Sequence, residues 1–186
     1  MPPPIREQST PYDSPWNFRT KLAMQLWEMC WALFCSWTPK PCNAWRLLWL
    51  RLFGASINGI PFVHQRARIA MPWNLKLGHR ACLGDRTNAY SLSRIEIGEH
   101  ATVAQEAYLC TGSHEIDHPS FSLCTGDIKI GAHAFIGARS FILKGVTVGE
   151  GAVVGACSVV TKSVSPWSVN AGQPCHEIRK RRHDAP

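Results

Sequence analysis

From Ile130 through Ile136, Ile142, Val148 and Val154 to Val160, an aliphatic residue returns at every sixth position. Three earlier stretches carry the same spacing: Ile57, Val63 and Ile69, then Leu77 and Leu83, then Ile97, Val103 and Leu109. An α-helix repeats near 3.6 residues and a strand at 2, so neither accounts for a hexad. A six-residue unit with one inward aliphatic suits a short strand followed by a corner. Three such sides close one triangular coil, and the next coil stacks on it at the strand spacing of ~4.8 Å. Residues 57–162 are therefore expected to form an all-β parallel solenoid of about six coils. A small residue often follows the aliphatic one, as at Gly78, Gly98, Gly131, Gly137 and Gly155. These positions are expected to relieve crowding and to permit positive φ at the corners.

Two phase breaks are expected to leave the prism as loops. One lies between Leu83 and Ile97, the other between Leu109 and Ile130, where CTGSHEIDHPSFSLCTGD stands. Loops on a rigid scaffold commonly carry chemistry. The pattern before the prism is different. Residues 22–37 are predicted helical, with a narrow polar stripe at Lys21, Gln25 and Glu28, and residues 43–53 form a second predicted helix bearing Arg46 and Arg51. TPKPC separates them as a break. The expected organisation is a flexible N-terminus (1–15), a helical segment (16–53), the solenoid (54–164) and a short tail (165–186).

Six of the eight tryptophans fall within residues 1–53. The first run is short and contains Glu28, which argues against a transmembrane span. Packing of the helices on the prism or on a neighbouring subunit is the expectation. Contact of residues 16–53 with a membrane surface is the alternative, because Trp and Arg suit that region. The formal charge of +7, from 20 Lys and Arg against 13 Asp and Glu, favours an anionic partner. Nucleic acid is disfavoured, because the basic residues are scattered and accompany no aromatic reading platform. The eight cysteines contain no CxxC pair, and several, Cys157 among them, stand where small core residues belong. Reduced thiols, no signal peptide and a cytoplasmic location, at most peripheral to the inner membrane face, are the corresponding expectations.

The hexads, GVTVGEGAVVGACSVVTK and NAGQPCHEIRKR together resemble the hexapeptide-repeat acyltransferases. WRLLWLRLFGA, PWNLKLG, AYLCTGSHE and GQPCHEIRKR are most similar to the colanic-acid-type exopolysaccharide O-acetyltransferases within that family. The likeness spans about residues 14–182. It implies a left-handed parallel β-helix, a homotrimer, and acetyl-CoA bound between neighbouring prisms. It also implies an acetyl transfer to a hydroxyl of a sugar, free or nucleotide- or lipid-linked, in surface-polysaccharide assembly. Two residues depart from the family pattern: Phe135 stands where Trp is frequent, and Lys144 where Pro is usual.

A sugar hydroxyl at neutral pH needs a base before it can attack a thioester, and His suits that pH. The candidates are His64, His79, His100, His114, His118, His133, His176 and His183. Most are expected to be solvated surface residues. His114 opens the longest interruption and matches the family's T-G-S-H catalytic histidine, so it is the expected base. A carboxylate, such as Glu115 or Asp117, or a backbone carbonyl would hold its other nitrogen. Asn88 and Tyr90 either bind the acceptor or close a turn. The resemblance implies a pantetheine path along Gly137, Ala138, Gly155 and Ala156, with an N–H near Ala138 facing the developing oxyanion. It sets Thr161 and Lys162 near the CoA, and Gly172, Pro174 and Arg179 nearer its adenine end.

The same residues admit other chemistries. Cys110 and Cys124 flank the histidine loop, so an acetyl-thiol route is conceivable, although both read better as small apolar fillers. His79, His114 and His118 admit a zinc site of the γ-carbonic-anhydrase kind, but without that class's spacing; no metal is expected. A different small acceptor (serine, an amine, a xenobiotic) and a non-catalytic scaffold are the remaining alternatives.

Overall fold

In a computed structural model the structure describes Gln8 and residues 13–182. The expected flexible N-terminus (1–15) and His183 therefore lie largely or wholly outside the described residues. Among the described residues, sixteen of nineteen strands build a parallel solenoid of about six coils with three faces. The first face stacks β1 (Ser56–Ile57), β4 (Leu75–Leu77), β7 (Ile95–Ile97), β12 (Ile128–Ile130) and β15 (Thr147–Val148). The second stacks β2 (Phe62–Val63), β5 (Cys82–Leu83), β8 (Thr102–Val103), β13 (Phe135–Ile136), β16 (Val153–Val154) and β18 (Ser168–Gly172). The third stacks β3 (Arg68–Ile69), β6 (Asn88–Tyr90), β9 (Tyr108–Cys110), β14 (Phe141–Ile142) and β17 (Val159–Val160). The hexad residues are the inward ones: Leu83, Val103, Ile136 and Val154 stand in one column in direct register, each fully buried. Such columns of like-shaped side chains make the core continuous along the axis.

The first phase break is not a loop. Residues 88–90 are strand β6, and its inward residue, Ala89, is fully buried between Ile69 and Leu109. Alanine hid the sixth-position signal there. What breaks the phase is a widened corner, and the coil below has the same one, between Ile69 and Leu77. The two corners stack: Asn74 donates to the carbonyls of Ser91 (2.9 Å) and Leu92 (3.1 Å), and the Ser91 hydroxyl donates to the Met71 carbonyl at 2.9 Å. The second break does leave the prism, as the antiparallel hairpin β10 (Gly112–His114) and β11 (Leu123–Thr125).

The corner glycines act mainly through space. A Cβ on Gly98 would stand 2.5 Å from the Ala132 nitrogen of the next coil, and one on Gly137 2.5 Å from that of Ala156. Glycine takes some left-handed positions, such as Gly145 and Gly151, but most carry side chains, among them Arg86, Glu106 and Arg139, each with φ between 54° and 60°. Those three pay part of the conformational cost through an ion-pair ladder, Arg86–Glu106–Arg139. Cys157 occupies such a corner and is exposed, contrary to the core position expected of it.

Two helices cap the first coils. Helix α1 runs Phe18–Phe34, starting and ending earlier than predicted; its start is set by the Asn17 side chain, which caps it by accepting from the Thr20 N–H at 2.8 Å. Helix α2 runs Asn43–Leu52. Trp27 and Trp31 are buried on the solenoid, and the Trp27 indole donates to the Ile69 carbonyl at 2.6 Å. Arg46 is fully buried rather than turned to any surface. Its guanidinium donates to the carbonyls of Val63 (2.8 Å), Pro39 (2.9 Å) and Lys40 (2.9 Å) and to the Thr38 hydroxyl (2.9 Å). One charge thus ties α2, the preceding turn and β2 together. No described helix is long and apolar enough to cross a membrane. At the other end, the tail is part of the sheet: β18 extends the second face, and β19 (Cys175–Lys180) folds back on it antiparallel.

Candidate active site

The hairpin lifts His114 off the prism and exposes it, opposite Leu123 in the strand register. Its Nδ1 lies 2.8 Å from the Phe121 carbonyl oxygen. A carbonyl oxygen only accepts, so this bond puts the proton on Nδ1 and leaves the Nε2 lone pair free. The Phe121 ring stacks on the imidazole, with centroids 4.8 Å apart and planes 11° from parallel. Phe121 itself has φ +47°, a left-handed conformation uncommon for a bulky residue. The sequence left the orienting group open among Glu115, Asp117 and a backbone carbonyl; the atom in contact is a backbone carbonyl. His118 is engaged within the loop, with Nδ1 2.7 Å from the Ser120 hydroxyl.

Asn88 and Tyr90 lie on strand β6 and line a cavity of about 410 Å³ beneath α1. Its other walls include Trp27, Glu28, Trp31 and Arg68, none of which sequence reasoning had joined to the site. Their contribution depends on how α1 crosses the third face, which no local motif encodes. Tyr90 also stands at the root of the histidine hairpin, where the Thr111 hydroxyl donates to its carbonyl at 2.6 Å. Burial raises the Tyr90 phenol above its ordinary value, with nearby Cys110 adding to the shift, so it remains a neutral hydroxyl able to donate.

The small residues gather on one corner, between the second and third faces. Gly137 and Ala138 sit directly over Gly155 and Ala156 in the next coil. The β18–β19 turn closes beside them: the Gly172 N–H donates to the Ser158 hydroxyl at 3.2 Å, and the Gln173 side chain to the Cys157 carbonyl at 2.6 Å. Pro174 belongs to this turn. The N–H groups of Gly137 and Gly155 are already used between coils, donating to Val154 and Asn170. Among the described residues, those of Ala138 and Ala156 have no such partner. A flat strip with two free amide donors fits an extended amide-bearing arm such as pantetheine.

Three candidates stand apart from that strip. Thr161 and Lys162 follow β17 on the next corner, between the third and first faces. The histidine hairpin leaves the prism on that same edge, and Lys144 is there too, one coil from Lys162. Arg179 pairs with Val169, three residues back along β18 from Gly172, or about 10 Å at strand rise. Within one chain, then, His114 and the small-residue strip lie at opposite edges of the third face.

Cys110 shows no sign of nucleophilic activation. Burial raises the Cys110 thiol, opposed only in part by the Gly112 backbone, and the S–H donates to the Gly112 carbonyl at 3.1 Å, a bond that only the neutral thiol can make. Among the described residues no three His, Cys, Asp or Glu side chains are grouped to hold a metal ion. His79, His100 and His133 instead form a ladder along one corner, the last two stacked at 5.1 Å. His64 is buried, 6 % exposed, not a surface residue.

A solenoid built on hexads, interrupted once by a histidine hairpin, defines a hexapeptide-repeat transferase. The family profile for bacterial transferase hexapeptide (six repeats) matches residues 127–162, and the chain belongs to the hexapeptide-repeat acetyltransferases. It is 38% identical over 172 residues to an Escherichia coli (strain K12) protein described as a colanic acid biosynthesis acetyltransferase, WcaF, covering 91% of this chain and 94% of that one. Among solved structures, a maltose O-acetyltransferase from Clostridium difficile 630 superposes with a TM-score of 0.77 at 27% identity, covering 90% of each chain. The fold is shared as well by a hexapeptide-repeat acetyltransferase of Vibrio cholerae O1 biovar eltor complexed with acetyl-CoA. There the TM-score is 0.79 at 20% identity, over 90% of this chain and 91% of that one.

Proposed function

We propose that this protein transfers an acetyl group from acetyl-CoA to a hydroxyl of a sugar, free or nucleotide- or lipid-linked, in surface-polysaccharide assembly. The observation that carries the reading is the Nδ1 contact of His114 with the Phe121 carbonyl, which leaves Nε2 as a ready base. The acceptor hydroxyl gives its proton to Nε2 while its oxygen attacks the thioester carbonyl. The imidazolium then returns the proton to the CoA sulfur as the C–S bond breaks. The Ala138 amide is the candidate donor to the negative charge that develops on the carbonyl oxygen between these steps.

The acceptor is assigned to the cavity beneath α1, where Asn88, Tyr90, Glu28 and Arg68 offer polar groups and Trp27 and Trp31 an apolar wall. Sugars are commonly held by such a mixture of hydrogen bonds and aromatic faces. The donor is assigned to the strip of Gly137, Ala138, Gly155, Ala156, Gly172 and Pro174. Because this strip and His114 stand at opposite edges of one face, a single chain cannot bring them to a common thioester. A homotrimer answers that separation: one prism's strip faces the neighbour's edge that carries His114, Lys144 and Lys162. Arg179, from the tail, then serves the distal phosphate of the CoA. The cytoplasm, where acetyl-CoA is available, is the corresponding compartment.

The test is release of free CoA from acetyl-CoA with a panel of sugars and nucleotide- or lipid-linked sugars, wild type against His114→Ala. Acceptor-dependent release that falls about 10²–10⁴-fold in the variant is expected for a lost general base. Release unaffected by the substitution would remove His114 from the mechanism, and release with amines in place of sugars would change the acceptor class.

A further inference from the structure

Both N-terminal helices are apolar on two opposite sides. Helix α1 turns Trp27 and Trp31 inward, while Leu22, Leu26, Met29 and Leu33 form a stripe on the far side, each 42–57 % exposed. Helix α2 buries Leu47 and Leu50 and exposes Leu48 and Leu52 on its far side. The two outer stripes are joined by aromatic contacts: Phe34 stacks on Trp49 at 4.9 Å, and Trp45 meets Trp49 edge-on at 5.8 Å. A continuous exposed apolar surface of this extent is unusual for a soluble protein and marks an interaction site.

Two further features identify the medium it meets. The exposed indoles carry no free donor: Trp37 donates to the Leu33 carbonyl at 2.7 Å and Trp45 to the Phe34 carbonyl at 2.8 Å. Both rings can therefore enter a hydrocarbon boundary without losing a hydrogen bond to water. The charges around the surface have one sign. Residues 14–59 contain Arg19, Lys21, Lys40, Arg46 and Arg51 against the single acid Glu28. Arg46 is internal and Glu28 lines the cavity beneath α1, so among the described residues of α1, α2 and the turn between them the charges left to the outside are cationic. Two copies meeting through this face would bring like charges together, whereas an anionic headgroup layer would neutralise them.

We infer that the outer face of α1 and α2 docks on an anionic lipid surface, lying in the interface without crossing it. This inference does not rest on the acetyl-transfer reading. It would place the cavity beneath α1 close to a bilayer, which suits an acceptor carried on a lipid.

The test is flotation of the full chain with vesicles of phosphatidylcholine alone and of phosphatidylcholine mixed with phosphatidylglycerol. Binding to the anionic vesicles, weakened by salt, is expected. Leu26→Ser/Met29→Ser/Leu33→Ser should weaken it by about tenfold or more, since three apolar side chains leave the interface. Lys21→Glu/Arg51→Glu, which leaves the helices' apolar faces intact, should abolish the preference for anionic lipid. Circular dichroism and chromatographic size accompany each variant. Absence of flotation by the folded wild-type protein would overturn the inference. A change in oligomeric size on replacing the leucines would also overturn it, assigning the face to contact between copies.

Discussion

The imidazole of His114 is held twice by Phe121: its Nδ1 by the carbonyl at 2.8 Å, and its ring by the phenyl group at 4.8 Å. One residue thereby selects the tautomer and limits rotation of the ring. Phe121 takes its left-handed conformation within the loop 115–122 between the hairpin strands, where its N–H donates to the His118 carbonyl at 2.9 Å.

Replacing Phe121 with alanine keeps the carbonyl and removes the stack. Aromatic stacking contributes about 0.5–1.5 kcal/mol, which corresponds to a loss of up to about tenfold in kcat. Little change in KM for acetyl-CoA should accompany it. A loss as large as that of His114→Ala would mean that the loop itself had collapsed, which hydrogen exchange across residues 112–125 would reveal.

A buried thiol with a raised pKa is a poor nucleophile. Cys110→Ala should therefore retain most of the activity, and incubation with acetyl-CoA alone should leave the wild-type protein's mass unchanged. An acetyl adduct on Cys110 would replace direct attack with a two-step route.

Burial lowers the pKa of His64 more than neighbouring Asp85 raises it, and Arg66, Lys40 and Arg46 lower it further. Above its ordinary value of 6.5 the residue is neutral both folded and unfolded, so it costs nothing. As pH falls through that value the unfolded chain takes up the proton first, and stability declines until the folded-state pKa is passed. Thermal melts of His64→Gln should show a shallower loss of Tm below pH 6.5 than the wild type. Parallel curves for the two proteins would assign the acid sensitivity to another group.

Arg46→Met removes one donor each from Thr38 and from the carbonyls of Val63, Pro39 and Lys40. Hydrogen bonds to a charged group contribute about 1.5–3 kcal/mol each, and orphaned buried acceptors add a cost. A destabilisation of about 3 kcal/mol or more is expected by denaturant unfolding, where methionine fills much of the same volume. An unaltered midpoint would show that α2 is held by packing alone.

Most of the solenoid was legible because every coil imposes the same demand on its inward positions, and Ile, Leu or Val meets it visibly. Ala89 meets it too, but alanine is equally at home on a surface, so a real coil read as a loop. The corner glycines were legible as a pattern and misread in part: close approach of the next coil requires them, while side-chain-bearing residues such as Arg139 take the left-handed corners. His114 stood out because it opens the longest interruption and matches the family's T-G-S-H segment. Its partner did not, since a backbone oxygen seven residues away carries no side-chain signature.

By itself, the sequence determined the repeat, about six coils and the place of the longest interruption, all of which follow from local spacing. Tertiary structure alone decided which residues share a corner. Lys162 lies on the edge of the His114 hairpin, Gly137 and Gly155 lie a face away, and Trp27, Trp31 and Glu28 wall the cavity with Asn88 and Tyr90. Those juxtapositions depend on how successive coils stack in register and on where α1 crosses them. Residues far apart in the chain become neighbours there, through contacts that no short-range pattern records.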